Sequence, residues 1–276
     1  MQKTLLYLLL FISFPAFAVG NNSCTQWLSK PGKKGIVLLA HGANLKPEKM
    51  DAIGRELVQK NFAVYRVGFS GHCGDREKYL HIKAEDWLAD ARNFYVEAKR
   101  IADREKKPLY LVAYSFSSLI YLNLENELKF DRRIFLAPGI ATHYWYHFIR
   151  LLGFLPSWIS YPSFSIPEYR ENNRTGAATI RATDDLLKNV KNISLDKNGV
   201  DTLVMMSAED QVVSYKGIRS FAERYSWQWD ALSCCENTLP GHYHHRIIDE
   251  ISLGKNEWQR MIKKMTEFLI PLRKQG

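Results

Sequence analysis

Short apolar runs alternate with longer amphipathic stretches along the chain from about residue 35 onward. A continuous apolar run is typical of a strand buried on both faces, as in a parallel sheet. Alternation of such strands with helices predicts crossover units around a mainly parallel sheet, which is an α/β fold. The runs that predict strands are 36–40, 63–69, 109–113, 133–138, 201–207 and a last one within 227–233.

Apolar positions at helical spacing predict the helices between these strands. The clearest stripe consists of Trp87, Ala91, Phe94, Ala98 and Ile101. Such a stripe is typical of a helix face packed on the core rather than of a ligand site. Pro47 begins an earlier helix, where the missing N–H of proline costs nothing. The predicted helices are 47–60, 84–104, 119–128 and 257–269.

The alternation stops between residues 139 and 199, where large aromatic residues and prolines are frequent. We interpret this segment as a helical cap inserted over the edge of the sheet. An amphipathic cap needs an apolar underside, which suits a lipid-like substrate. The alternative interpretation is a set of ordinary packing helices. The rings are Tyr144, Trp145, Tyr146, Phe148, Phe154, Trp158, Tyr161 and Phe164.

The first residues have the composition of a secretory signal peptide. Lys3 precedes an apolar run over 4–17, and Ala16-Phe17-Ala18 fits a small-x-small cleavage site. The alternative is a membrane anchor, but the run is shorter than the ~20 residues that span a bilayer. We therefore predict cleavage after residue 18 and export to the periplasm or the medium. Residues 19–276 then form one α/β domain with the cap inserted at about 139–199.

Charge and cysteines add little to the choice of function. The formal net charge of +9 is compatible with peripheral contact with an anionic membrane, but the basic residues are scattered and form no nucleic-acid stripe. Export permits disulfides, and four cysteines allow three pairings between which the sequence does not choose. No spacing typical of a zinc site occurs, so we predict neither a metal nor a cofactor. The cysteines are Cys24, Cys73, Cys234 and Cys235.

Ser115 lies where the strand 109–113 runs directly into a helix. A sharp strand-to-helix turn exposes the serine hydroxyl and aims the helix N-terminus at a reacting carbonyl. The turn crowds the positions two before and two after the serine, which here are Ala113 and Ser117 instead of glycines. Ser117 is the larger departure, because it adds a second hydroxyl. The alternative role for Ser115 is an ordinary helix N-cap.

Five blocks of the sequence occur in the order that is typical of the α/β-hydrolase superfamily. The chain therefore resembles this superfamily, and within it the esterase, lysophospholipase and monoacylglycerol-lipase-like group. The order Ser, Asp, His is the specific part of the likeness. The resemblance implies hydrolysis of lipid-like acyl esters through a Ser-His-Asp triad and an acyl-enzyme. Alternatives are an acyltransferase or thioesterase with the same triad, and a catalytically silent binding domain. The blocks are 38–42, 71–72, 113–117, 207–213 and 241–245.

The resemblance also implies where the acid and the base lie. The acid should follow the strand after the cap, where Asp210 precedes an apolar pair and Glu209 is the competitor. The base should lie in the loop after the last strand. There His245 fits best, because an apolar pair and then an acid follow it; His244 is the next choice and His242 the third.

The oxyanion hole implied by the resemblance uses two backbone N–H groups. One belongs to Phe116, directly after the nucleophile. The other belongs to Ala43, and we expect Gly42 to let the chain bend so that this N–H turns inward. The nearby His41, His72 and Cys73 are assigned no chemistry.

Overall fold

The computed structural model describes residues 24–29, 34–163, 165–193, 195, 199–233 and 244–270. The predicted signal peptide, residues 1–18, lies outside the described residues, as do Cys234, Cys235 and His242. In the described part of the chain, no helix combines the length and apolar composition that a membrane span requires.

A seven-stranded sheet organises the molecule, in the order β1-β3-β2-β4-β5-β8-β9. Only β1 runs antiparallel to its neighbour, so the sheet is mainly parallel, as predicted. A second, two-stranded antiparallel sheet is formed by β6 and β7. In chain order the strands are Gln26–Trp27 (β1), Ile36–Ala40 (β2), Ala63–Val67 (β3), Leu109–Tyr114 (β4), Arg132–Leu136 (β5), Ser160–Pro162 (β6), Arg174–Gly176 (β7), Asp201–Ser207 (β8) and Gln228–Leu232 (β9).

Helices flank the sheet, and α1, α3, α4, α7 and α9 pack on it. The stripe predicted from Trp87 to Ile101 faces the core, with Trp87 only 1% exposed. The helices are Asp51–Gln59 (α1), Arg76–His81 (α2), Ala84–Glu105 (α3), Phe116–Asn123 (α4), Tyr146–Leu152 (α5), Ala177–Asn192 (α6), Tyr215–Arg224 (α7), Glu250–Leu253 (α8) and Lys255–Leu269 (α9).

The central strands are apolar because both faces are covered. Every residue of β2, β3 and β4 is buried, including Arg66 on β3. A buried charge must be paired. Accordingly, the Arg66 guanidinium donates to the Asp51 carboxylate at 2.7 Å and to the Cys24 carbonyl at 3.1 Å.

The strand order brings the loops of interest to one edge of the sheet. The chain runs from β2 to β3 on one side and then continues with β4 on the other side of β2. Ala40 and Ala113 are paired at the ends of β2 and β4, so the loops that follow them are adjacent. Such a reversal at the carboxyl ends of parallel strands is where α/β sheets bind ligands.

The chain between β5 and β8 leaves the large sheet. Its described residues form α5, the β6–β7 sheet and α6. This segment is not purely helical, since Tyr161 pairs with Thr175 across the small sheet. It packs on the rest of the molecule through α6, where the Thr179 hydroxyl donates to the Tyr79 carbonyl.

Several elements differ from the prediction. Residues 47–50 form a 3₁₀ turn before α1. Helix α4 begins at Phe116, directly after the turn at Ser115, and ends at Asn123 instead of spanning 119–128. Beyond Asn123 the N–H groups of Leu124 and Glu125 bond to carbonyls three residues earlier, which is a tighter turn than an α-helix. Leu124 and Leu128 extend the apolar pattern beyond this helix, since they are buried but not helical. Helices α2, α7 and α8 were not predicted.

A disulfide joins Cys24 to Cys73, with their Cα atoms 5.8 Å apart. It links the segment before β1 to the loop after β3. Gly68 lies beneath it, since a Cβ there would be 2.5 Å from the Cys24 sulfur and 2.7 Å from the Cys73 sulfur. The structure thus selects one of the pairings that the sequence left open.

We predict that Cys24→Ala/Cys73→Ala lowers the free energy of unfolding by about 3 to 4 kcal/mol, because the bond closes a long loop in the unfolded chain. Urea denaturation of the wild type and the double variant measures this difference. Cys73→Ala alone should cost about as much, since either change breaks the bond. Unchanged stability in both variants would contradict the pairing.

Candidate active site

Ser115 lies in a sharp turn between β4 and α4. Its φ of 52° and ψ of −113° place it in a region that side chains rarely adopt. Such a conformation costs about 1 to 3 kcal/mol and persists only where neighbours hold it. The Ser115 N–H donates to the Leu136 carbonyl at 2.8 Å, and the Ser115 carbonyl accepts from the Gly139 N–H at 2.9 Å. The Ser118 hydroxyl donates to that same carbonyl at 2.6 Å.

Ser117, the departure from glycine, fits this turn because its hydroxyl is satisfied. The residue is fully buried. Its hydroxyl lies 3.1 Å from the Ala40 carbonyl and 3.0 Å from the Tyr114 carbonyl. A buried hydroxyl without a partner would be destabilising. Here it links the end of β2 to the turn.

Asp210, His245 and Ser115 form one hydrogen-bonded chain. The Asp210 Oδ2 lies 2.7 Å from His245 Nδ1, and His245 Nε2 lies 2.8 Å from the Ser115 hydroxyl oxygen. A carboxylate can only accept, so Nδ1 carries the proton and Nε2 is free to accept one from Ser115. The second Asp210 oxygen accepts from the N–H groups of Val212 and Val213 at 2.8 and 2.9 Å. All three members are buried.

The competing residues, Glu209 and His244, form a separate pair. Glu209 lies 3.3 Å from His244 Nδ1, and its side chain is 73% exposed. The Asp210 side chain is fully buried. The geometry thus brings Asp210 and His245, not Glu209 and His244, to Ser115. The third choice, His242, lies outside the described residues.

The two expected oxyanion donors border the same cavity as Ser115. Phe116 is the first residue of α4, so its N–H has no partner within the helix. We expected Gly42 to allow a bend in the chain, but its φ is not in the left-handed region. A Cβ on Gly42 would lie 2.8 Å from the Tyr114 ring and 3.4 Å from the Ser115 Cβ. Gly42 is therefore required by close approach rather than by a bend.

Behind this loop lie two buried histidines. His41 Nδ1 lies 2.8 Å from the Gly42 carbonyl, and its Nε2 accepts from the Phe69 N–H at 3.1 Å. The ring of His72 lies 4.4 Å from that of His41, centroid to centroid. Burial lowers the pKa of His72 to about 4, and burial together with the neighbouring His72 lowers the pKa of His41 well below its usual value. Both rings are therefore neutral at pH 7.

A cavity of about 670 Å³ opens onto Ser115 and His245. Its floor is formed by the loops at the edge of the sheet, and its walls come from the segment between β5 and β8. Most of the lining side chains from that segment are large and apolar or aromatic, as expected of a site for an organic ligand. They include Trp145, Tyr146, Ile149, Leu152, Tyr161 and Ile180.

Within the described residues, no group of three or more His, Cys, Asp or Glu side chains is arranged to hold a metal ion.

A family model described as serine aminopeptidase, S33, matches residues 31–168, which is half of the chain. The protein belongs to this family of hydrolases. No curated protein sequence matches the chain.

Solved structures share the α/β-hydrolase fold of this S33-family hydrolase. A soluble variant of monoglyceride lipase from Saccharomyces cerevisiae is 15% identical, with a TM-score of 0.70 over 89% of each chain. A metagenome-derived lipolytic enzyme is 17% identical, with a TM-score of 0.68 over 88% of this chain and 96% of the other. The monoacylglycerol lipase of Paleococcus ferrophilus is 15% identical, with a TM-score of 0.65 over 89% of this chain and 97% of the other. The α/β-hydrolase expectation is confirmed.

Several residues of this hydrolase that border the cavity were not predicted from the sequence. Tyr114 and Gln211 both border the cavity and contact the backbone at His244 and His245. Each is a sequence neighbour of a predicted site residue, Ser115 or Asp210, and that adjacency was the only available signal. Tyr169 and Arg246 also border the cavity, with the guanidinium 4.0 Å from the ring centroid.

We predict that this hydrolase loses stability as the pH falls from about 6.5 to about 4, in part through His72. In that window the unfolded chain binds a proton at this histidine and the folded chain does not. The contribution is on the order of 3 kcal/mol and is fully lost below the folded-state pKa. Denaturant unfolding at several pH values should give His72→Phe a shallower dependence than the wild type.

The exposed His81 supplies the control for this prediction, since His81→Gln should keep the wild-type pH dependence. Equal slopes for His72→Phe and the wild type would contradict a neutral His72 in the folded protein.

Proposed function

We propose that this protein hydrolyses carboxylic esters, with Ser115 as nucleophile, His245 as base and Asp210 as the acid that orients it. The observation that carries this proposal is the continuous chain of contacts, 2.8 Å from Ser115 to His245 and 2.7 Å from His245 to Asp210. A serine hydroxyl is a weak nucleophile unless a base accepts its proton, and this geometry supplies that base.

The reaction proceeds in two acyl-transfer steps. The Ser115 oxygen bonds to the ester carbonyl carbon while its proton moves to His245 Nε2. The N–H groups of Ala43 and Phe116 stabilise the oxyanion. The intermediate expels the alcohol, which takes the proton from His245 and leaves an acyl-enzyme. Water then attacks the acyl carbon while His245 Nε2 accepts its proton. The second intermediate breaks its bond to the Ser115 oxygen, which takes the proton back from His245, and the carboxylic acid leaves.

Asp210 supports both steps without itself taking the proton. Its Oδ2 fixes the Nδ1–H tautomer of His245 and favours the charged imidazolium that forms. Because its Oδ1 is held by two backbone N–H groups, the carboxylate cannot rotate freely.

The cavity favours lipid-like acyl esters as the substrate class. Helix α5 has no fully buried residue, yet Tyr146, Ile149 and Leu152 line the cavity. An acyl chain placed against these side chains would gain ~0.8 kcal/mol per buried CH₂. The similar solved structures are lipases and a lipolytic enzyme, which supports the same class.

Peripheral contact with a lipid surface and export are parts of the same proposal. Apolar side chains on the outer side of this segment are strongly exposed, including Phe148 at 68% and Trp158 at 75%. Large exposed apolar patches typically mark interaction sites. The Cys24–Cys73 disulfide supports an oxidising compartment.

The experiment that tests the proposal is Ser115→Ala. This change should abolish both ester hydrolysis and covalent labelling by a fluorophosphonate, because no other group replaces the attacking oxygen. Ser220→Ala, at an exposed serine of α7, should behave as wild type. Labelling of folded Ser115→Ala protein would contradict the assignment. Unlabelled wild type would indicate a silent binding domain.

A substrate panel separates the remaining candidates. Acyl esters, acyl thioesters and aminoacyl anilides are compared on the wild type, the last because the family description names an aminopeptidase. Transfer to an added alcohol in preference to water would indicate an acyltransferase.

We predict that kcat/KM rises as p-nitrophenyl acyl chains lengthen from acetate toward octanoate, by up to roughly fourfold per buried CH₂. Leu152→Gln should flatten this rise while leaving acetate hydrolysis in place, because Leu152 lines the cavity. Its neighbour Leu151 is 60% exposed, so Leu151→Gln is the matched control and should keep the rise. Steady-state rates below the micellar concentration measure the effect. A flat wild-type profile would indicate a small-ester hydrolase.

A further inference from the structure

The main chain around His245 is held by two side chains that take no part in the proton transfer. On its carboxyl side, the Tyr114 hydroxyl donates to the His245 carbonyl at 3.2 Å. On its amino side, the His244 N–H donates to the Gln211 side-chain oxygen at 2.8 Å. The two contacts therefore lie on either side of the His245 Cα.

Tyr114 is suited to a fixed contact. It is only 5% exposed, and burial raises the pKa of its hydroxyl, which therefore keeps its proton and remains a donor. Its ring lies against Gly42, where a Cβ would approach to 2.8 Å, and 5.4 Å from the His245 ring, centroid to centroid. The Tyr114 side chain thus contacts both the oxyanion loop and the base. Tyr114 is also the residue directly before the nucleophile.

Gln211 is exposed, and its main chain is held from the opposite side. Its backbone carbonyl accepts from the Trp145 indole N–H at 3.1 Å. His143 Nε2 lies 2.9 Å from the carbonyl of Asp210, the preceding residue. The segment between β5 and β8, which forms the cavity wall, therefore contacts the loop that carries the acid. Gln211 in turn contacts the main chain beside the base.

We propose that Tyr114 and Gln211 are positioning residues that hold the His244–His245 backbone in register with Ser115 and Asp210. The inference rests on the proposed function. Because Tyr114 adjoins the nucleophile and Gln211 adjoins the acid, each contact ties the base to one of its partners. A misplacement of the base by a fraction of an ångström slows proton transfer without changing substrate affinity.

The test uses Tyr114→Phe, which removes one oxygen, and Gln211→Met, which keeps side-chain length without an acceptor. Each should lower kcat by about tenfold, with KM within about twofold of wild type. The rate of inactivation by a fluorophosphonate should fall by the same factor as kcat. Gln211→Glu, which keeps a side-chain oxygen, should restore most of kcat on the pH plateau.

Tyr121→Phe is the matched control for loss of a buried phenol. Tyr121 is 3% exposed, and its hydroxyl has no partner among the described residues. This variant should keep wild-type kcat. Thermal unfolding of all variants separates positioning from general destabilisation, because a merely structural role would lower the melting temperature and leave kcat of the folded fraction unchanged.

A second readout does not depend on turnover. The Nδ1 proton of His245, bound to Asp210, should give a far-downfield NMR resonance that Asp210→Asn removes. Tyr114→Phe and Gln211→Met should shift or broaden it, and Tyr121→Phe should not. Unchanged kcat and an unchanged resonance would overturn the inference while leaving the proposed hydrolase intact. If the wild type hydrolyses no ester, the proposed function fails, and the resonance still decides whether these residues position His245.

Discussion

The left-handed backbone of Ser115 is the constraint on which the rest of the site depends. At φ 52° the residue is unfavourable by itself, so the turn exists only because its neighbours hold it. Leu136 on β5 accepts its N–H, and Gly139 and Ser118 donate to its carbonyl. One strand end, one loop and one helix thus hold the Ser115 hydroxyl at the cavity, at the edge of a buried sheet.

The flanking positions show how this chain meets that constraint without the usual glycines. Ala113, the last residue but one of β4, is small enough to pair beside Ala40. The Ser117 hydroxyl reaches the Ala40 and Tyr114 carbonyls, so the additional polar atom contributes contacts to the turn. The glycine that is kept, Gly42, lies where the loop after β2 approaches the Tyr114 ring. Small residues are needed here at points of close contact rather than by position in a motif.

The segment between β5 and β8 is bonded to the loops that carry Asp210 and His245. At its start, the Ala141 carbonyl accepts from the Ser214 N–H, and Thr142 pairs with Val213, three residues after Asp210. Farther along, the Tyr169 hydroxyl donates to Asp249 at 2.7 Å, four residues after His245. The cavity wall and the Ser115–His245–Asp210 geometry are therefore mechanically connected, although they come from different parts of the sequence.

The sequence by itself determined the central strands of the large sheet, because a strand covered on both faces must be apolar along its whole length, whereas the short edge strand β1 carries no such pattern. It also indicated Ser115, since strand, turn and helix are contiguous there. Tertiary structure decided the Cys24–Cys73 pairing and which histidine faces Ser115, because these depend on contacts between residues 49 and 130 positions apart. His244 and His245 are neighbours with similar surroundings in the chain. Only the fold directs one ring to Ser115 and the other to Glu209.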